Sequence, residues 1–291
     1  MKNISDYHVH TRQSGCCKEE YGIVDAAKVA ASRGIRFLGI TDHDVPFKNG
    51  YLPRHRKIVD TLDIDGITVH LGLEASIRNA RGKIQVSSSN LSLLDFLSIS
   101  EHVHIMPRWT LMRRGRKHLI ESWWNDPTSQ YQLEKFYTRH ARMTQRAIER
   151  YQPDILAHPW RFPWHAGFLD KATIVAYQDT LEAAAKNGTC IEISKSAMAL
   201  VLSALEGQGS HYETFLDQEK FPRWKGKMEH EVMEPVAFFT VFFKICQQKN
   251  IKFTLGSDAH RMEDIGRYPP LDRVLGAIGI QQNAIKHVLI R

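Results

Sequence analysis

Short apolar runs of strand character punctuate the chain at Asp6–His10, Arg36–Thr41, Ile67–Leu73, Lys83–Ser87, Phe96–Ser100, Ile155–His158, Cys190–Ser194 and Lys252–Ser257. Between several of them apolar residues recur at helical spacing. Residues 23–33 form one such stretch and stop at Gly34, a residue suited to the left-handed turn that ends a helix. Residues 129–151 form a longer amphipathic stretch that ends before Pro153, and residues 171–187 read as helix stopped by Gly188. Residues 235–249 read as helix opening at Pro235, whose missing N–H costs nothing in a first turn. Strand, helix, strand, repeated, predicts a parallel sheet with helices outside it. Two long segments, about 105–128 and about 203–231, break the rhythm and are polar, basic or rich in Gly and Trp. Long irregular segments in a compact domain usually serve as lids or substrate loops, so substrate choice is expected there.

Histidines and acids collect where the apolar runs end. They stand in Tyr7-His8-Val9-His10-Thr11, Thr41-Asp42-His43-Asp44, Gly72-Leu73-Glu74-Ala75, His102-Val103-His104, Ala157-His158-Pro159 and Gly256-Ser257-Asp258-Ala259-His260. Strand ends converge on one point when parallel strands close, or nearly close, into a barrel. A barrel mouth lined by His, Asp and Glu is a set of N and O ligands for divalent metals and points to metal-dependent hydrolysis. His8 and His10, two apart on a strand, face the same side. Asp258 and His260 repeat that logic at a late strand end, after Gly256, where the backbone can approach closely. Glu74 ends an apolar run, a costly place for a carboxylate that is neither paired nor metal-bound. His102 and His104 both follow the run ending at Ser100, and either could face inward. Pro159 ends its strand and leaves His158 at the rim. His55, His118, His140, His165, His211, His230 and His287 lie in polar or helical contexts and are given no role.

At 291 residues and 43% hydrophobic the chain can bury a large core, and a barrel of this length is commonly one unit. One domain over residues 1–291 is expected, with the two irregular segments as inserts. The four cysteines (Cys16, Cys17, Cys190, Cys246) form no CxxC pair, which suits a reducing compartment. The longest strongly apolar stretch, Val236–Phe243, is far short of the roughly 20 residues a membrane span needs. A soluble, cytoplasmic protein with no membrane partner is expected. The net charge of +7 suits an acidic ligand. Much of it lies between Arg108 and His118, which reads either as an arm that attracts phosphate or as a solvated loop.

In order and type, YHVHT, ITDHD, GLEAS, HVHIMP, LAHPWR and LGSDAHR resemble the motifs of the polymerase and histidinol phosphatase (PHP) superfamily of metal-dependent phosphoesterases. The match runs from residue 6 to about 261. The resemblance implies an α/β fold, a distorted (β/α)7 TIM-like barrel holding two or three divalent ions (zinc, manganese or iron). It would place His8, His10, Glu74 and Asp258 on the first ion, and Glu74, His104 and His158 on the second. His43 and His260 would hold the third. His104 is preferred over His102 because the family histidine likewise precedes an apolar residue. Where family members commonly carry Asp or His to complete the third site, this chain has Cys16, whose thiolate also binds zinc.

The activity so implied is hydrolysis of a small-molecule phosphomonoester by a hydroxide bridging the metals. Asp42, Asp258 and His260 are the candidates to protonate the leaving alkoxide. Arg161 is the candidate to grip a non-bridging oxygen, because a guanidinium can do so in bidentate fashion. The alternatives are histidinol phosphate specifically, or a nuclease of the same superfamily in which the basic arm and Trp109, Trp123 and Trp124 grip a nucleic acid strand. Substrate and oligomeric state are not encoded in these motifs.

Overall fold

The computed structural model describes residues 4–17, 19–44, 49–101, 129–160, 169, 171–208 and 233–287. Among them seven parallel strands lie in sequence order: β1 (Ile4–Val9), β2 (Ile35–Ile40), β3 (Thr68–Ser76), β4 (Phe96–Ser100), β5 (Ile155–Leu156), β6 (Cys190–Ser194) and β7 (Phe253–Gly256). Just past its last residue β7 returns to β1. Val9 pairs with Ala259, His10 N–H donates to Ala259 O at 3.0 Å, and Ala259 N–H donates to His8 O at 3.2 Å. The result is a nearly closed (β/α)7 barrel. Buried Asp6 clasps the seam, accepting from the backbone N–H groups of Ser257 (2.9 Å) and Gly266 (2.8 Å).

Period-two alternation sorts the strand residues into two cores. Leu71, Leu73, Ile99, Ile191, Ile193 and Leu255 face outward and pack with helix residues such as Ala26, Leu52, Ile148, Leu181, Phe238 and Phe242. Tyr7, Phe96, Ile155 and Cys190 face inward and plug the barrel floor. The Phe96 ring leaves no room for a side chain on β2 or β3: a Cβ would lie 2.7 Å from it at Gly39 and 2.3 Å at Gly72. The pairing of β1 with β2 shifts register between Asp6 and Val9. A bulge of this kind re-aims side chains. Here it lets Tyr7 join the floor while its neighbour His8 enters the mouth.

Lys83–Ser87 is not a strand. Both edges of β3 and β4 are already paired, so the run has no ladder to join and instead packs Ile84 against the outer core. The stretch 171–187 divides into helices Lys171–Ala176 and Gln178–Asn187, interrupted at Tyr177, whose hydroxyl donates to Pro159 O at 2.8 Å. Helices Leu52–Thr61, Ser88–Leu91, Lys195–Leu205 and Leu271–Ala277 add to those expected. Residues 203–205, read above as irregular, finish the helix Lys195–Leu205. The rest of that insert from residue 209, and the insert 105–128, lie outside the described residues. No helix among the described residues is long and apolar enough to cross a membrane.

Candidate metal centre

The carboxyl ends of β1, β3 and β7, with the loops that follow β2 and β5, bring five imidazoles and two carboxylates together. His8 Nε2 lies 3.1 Å from His10 Nε2, 3.3 Å from Glu74 Oε2 and 3.4 Å from Asp258 Oδ1. His10 Nε2 lies 3.1 Å from the same Asp258 oxygen and 3.5 Å from the same Glu74 oxygen. Tetrahedral ligands roughly 2.1 Å from a zinc ion would stand about 3.4 Å from one another. Four donors at the ends of three strands, buried except for a partly exposed Asp258 and spaced in this way, fit a divalent ion.

Glu74, fully buried, reaches beyond that quartet. Its Oε2 is 2.9 Å from His43 Nδ1, and its Oε1 is 3.1 Å from His158 Nε2. One carboxylate therefore faces two groups of imidazoles, as a carboxylate bridging two ions must. His10 has His43 on one side and His260 on the other, both with ring centroids 4.5 Å away. The Cys16 thiol hydrogen-bonds to His43 and His260. The geometry thus gathers His10, His43 and His260 into a further cluster on the solvent side, with Cys16 beside His43 and His260.

The ring nitrogens turned away from the centre have partners that fix the proton. His8 Nδ1 is 2.7 Å from Glu192 Oε1, and a carboxylate accepts, so Nδ1 carries the hydrogen and Nε2 presents its lone pair. His10 Nδ1 meets Ser14 Oγ at 3.0 Å, and that hydroxyl spends its own proton on Asp42 Oδ1 at 2.7 Å. His10 must therefore donate from Nδ1 as well. His260 donates from Nδ1 to the Asp258 carbonyl at 2.7 Å.

Burial would lower His8, but the charges of Glu192, Glu74 and Asp258 raise it well above its usual range. Burial would lower His43 too, yet Glu74 and Cys16 raise it to about 10. His10, where burial wins, falls to about 4. Asp258, which burial would raise, is held well below the carboxylate range by His8, His10 and His158. Burial would also raise the Cys16 thiol, but hydrogen bonds from His260 and His43 bring it down to about 7. The acids thus favour positive charge at this centre, which divalent cations can supply.

Comparison with known proteins finds phosphatases. A probable phosphatase of Caldanaerobacter subterraneus is 23% identical over 290 residues, covering 98% of this chain and 87% of that protein. One from Acetivibrio thermocellus is 24% identical over 283 residues, covering 94% and 87%. No protein-family model matches the chain. Among solved structures, histidinol phosphate phosphatase of Lactococcus lactis, complexed with zinc, L-histidinol and phosphate, superposes with a TM-score of 0.56 over 96% of this chain and 95% of that one, a likeness of fold at 14% identity. The chain is thus similar in sequence to probable phosphatases and shares the barrel fold of a histidinol phosphate phosphatase.

Of the residues expected from the sequence, the structure brings His8, His10, His43, Glu74, His158, Asp258, His260 and Cys16 to one mouth. His104, its alternative His102, and Arg161 lie outside the described residues. Asp42 takes a different place from that expected of an acid. It is 1% exposed, and its oxygens accept from Thr11 N–H (2.6 Å), Thr11 Oγ1 (2.7 Å) and Ser14 Oγ (2.7 Å), so it props the β1 loop and, through Ser14, His10. Sequence reasoning missed Glu192 and Asp6. Both are buried acids inside strands, and Glu192 stands in the apolar run CIEIS, the signal that singled out Glu74. It also gave no role to His140, which bridges buried Glu101 and the Tyr177 hydroxyl.

Proposed function

We propose that the protein is a metal-dependent phosphatase that hydrolyses a small-molecule phosphomonoester. The observation that carries this reading is Glu74, one of whose oxygens faces His8, His10 and His43 while the other faces His158. The first ion would be held by His8, His10, Glu74 and Asp258, and the second by Glu74, His158 and His104. His43, His260 and Cys16 would hold the third. Zinc, manganese or iron held there would supply Lewis acidity toward phosphoryl oxygens and acidify water to near neutrality.

The remaining work falls to the chain itself. The barrel floor and the buried His8, His10 and Glu74 exclude bulk water from beneath the reacting group. Glu192, the Ser14–Asp42 pair and the Asp258 carbonyl keep protons off the inward nitrogens of His8, His10 and His260. Asp258 and His260 keep 23% and 25% of their side chains exposed at the mouth that a departing alkoxide would reach. Asp258, held ionised by its imidazole neighbours, has no proton to give, which leaves the role to His260. Asp42, with its oxygens occupied, does not serve there. Arg161, two residues past Pro159, is assigned to a non-bridging phosphate oxygen.

Elemental analysis of protein never exposed to chelator, with turnover of a phosphomonoester panel that includes histidinol phosphate, tests the proposal. Two or three divalent ions and monoester turnover are expected. Fewer than about one ion per chain would overturn it, since buried ligands of this kind bind metal as they fold. Turnover of oligonucleotides alone would reassign the chemistry to a nuclease.

A further inference from the structure

Glu192, on β6, is 1% exposed and engages both its oxygens. Oε1 lies 2.7 Å from His8 Nδ1, and Oε2 accepts the backbone N–H of His158 at 2.9 Å. His158 holds its backbone at φ +28°, a left-handed conformation costly for a side-chain-bearing residue. Its imidazole stacks on His8, with centroids 5.3 Å apart and planes 24° from parallel. The neighbouring strand makes room: a Cβ at Gly256 would lie 1.9 Å from Glu192 Oε1, so that position admits only glycine while the carboxylate stays where it is.

We propose that Glu192 is a positioning residue that couples the first two metal positions, fixing the His8 proton on Nδ1 with one oxygen and the His158 backbone with the other. This rests on the phosphatase reading above. A carboxylate offers acceptors only, so both partners must donate: His8 through Nδ1–H, which leaves Nε2 free toward His10, Glu74 and Asp258, and His158 through its amide. One residue on β6 thereby sets ligands contributed by β1 and by the loop after β5. His8, His158 and Glu192 could instead form a direct three-donor site. That alternative would take a Glu192 oxygen away from one of its two donors, and it predicts a different result below.

The test compares the full-length wild type with Glu192→Gln and Glu192→Asp after chelator treatment and dialysis. Zinc and manganese affinities are measured by competition against a chromophoric chelator, ion counts at saturation by elemental analysis, and unfolding of the metal-free forms by thermal melts. Glutamine is isosteric but can accept from only one partner. Accepting from His158 N–H turns its amide N–H onto His8 Nδ1 and moves the imidazole proton to Nε2, where it blocks ligation.

Glu192→Gln should weaken zinc binding roughly 10- to 100-fold, the usual effect of losing an outer partner of a metal ligand, with the saturating ion count unchanged. Glu192→Asp keeps two acceptors and should recover most of the loss. Equal affinities in all three proteins, with only the melts displaced, would make Glu192 a structural residue and overturn the coupling. One ion fewer at saturation in Glu192→Gln would make it a direct ligand and overturn it too. A wild type that binds no divalent ion would overturn both this inference and the phosphatase reading, whereas a metal-binding wild type with unaffected variants overturns this inference alone.

Discussion

Asp42 and His10 are joined through a single hydroxyl: Ser14 Oγ donates to Asp42 Oδ1 at 2.7 Å and faces His10 Nδ1 at 3.0 Å. The acid that follows the second apolar run thus acts on the His8–His10 pair from behind. Ser14→Ala should lower zinc affinity roughly 10-fold through the loss of His10's outer partner. It should also cost about 1–3 kcal/mol of stability, because Asp42 and the His43 amide each lose a buried partner. If Asp42 were instead the acid of the reaction, Asp42→Asn would abolish the alkaline limb of the pH–rate profile while leaving ion content intact. A profile of unchanged shape with reduced ion content is expected.

All seven strands were legible as apolar runs, and His8, His10, Glu74, His158, Asp258 and His260 as polar residues at the ends of those runs. Glu192 was not. Its partner His8 is 184 residues away, and a single acid in CIEIS acquires meaning only when β6 is laid into the barrel. Asp42 was legible as a residue of interest, but its role depends on Ser14, a small polar residue with no pattern of its own. The helix Lys195–Leu205 escaped notice because KSAMALVLSAL is apolar on most of its circumference, which erases the periodicity that marks an amphipathic helix. Lys83–Ser87 carried strand-like alternation, but strand pairing is a property of the free edge, and none was left.

Glu74→Gln should remove more metal than any change behind a ligand. Its two oxygens face separate imidazole groups, so the substitution should lower occupancy at two positions together. Monoester turnover should fall by more than the roughly 100-fold that the loss of an outer partner can cost. Elemental analysis alongside the rate provides the check. Full ion content in the variant would reduce Glu74 to an ordinary buried acid.

Alkaline pH should weaken the barrel floor through Cys190. Burial raises its thiol from the ordinary 9.0 to about 11. A raised native value means that the folded state holds the proton more tightly than the unfolded one. The associated stability is complete below about pH 9 and is lost as pH climbs through about 11. The span of the shift corresponds to roughly 2–3 kcal/mol. Urea unfolding of wild type and Cys190→Ala at intervals from pH 8 to 11 isolates it, because other titrations cancel in the difference. The wild-type advantage should shrink by that amount. An advantage constant with pH would mean that the thiol ionises alike in both states.

Cys16 stands where the resemblance led one to expect Asp or His, and its reactivity reports whether it holds a metal. In chelated protein its thiol sits near 7, drawn down from 9.0 by His260 and His43 against the opposing effect of burial. It should therefore alkylate rapidly at pH 8, whereas buried Cys190 and Cys246, both raised by burial, should resist. With metal bound, ligation should protect Cys16, and chelator should restore its reactivity. Cys16→Ala should lose the ion on the solvent side while His8, His10 and Glu74 keep theirs. Cys16→His should retain that ion and shift its preference away from soft zinc. Peptide mapping of the alkylated site, with ion counts for each variant, reads both arms. Equal alkylation with and without metal, together with full ion content in Cys16→Ala, would leave the solvent-side ion to His43 and His260.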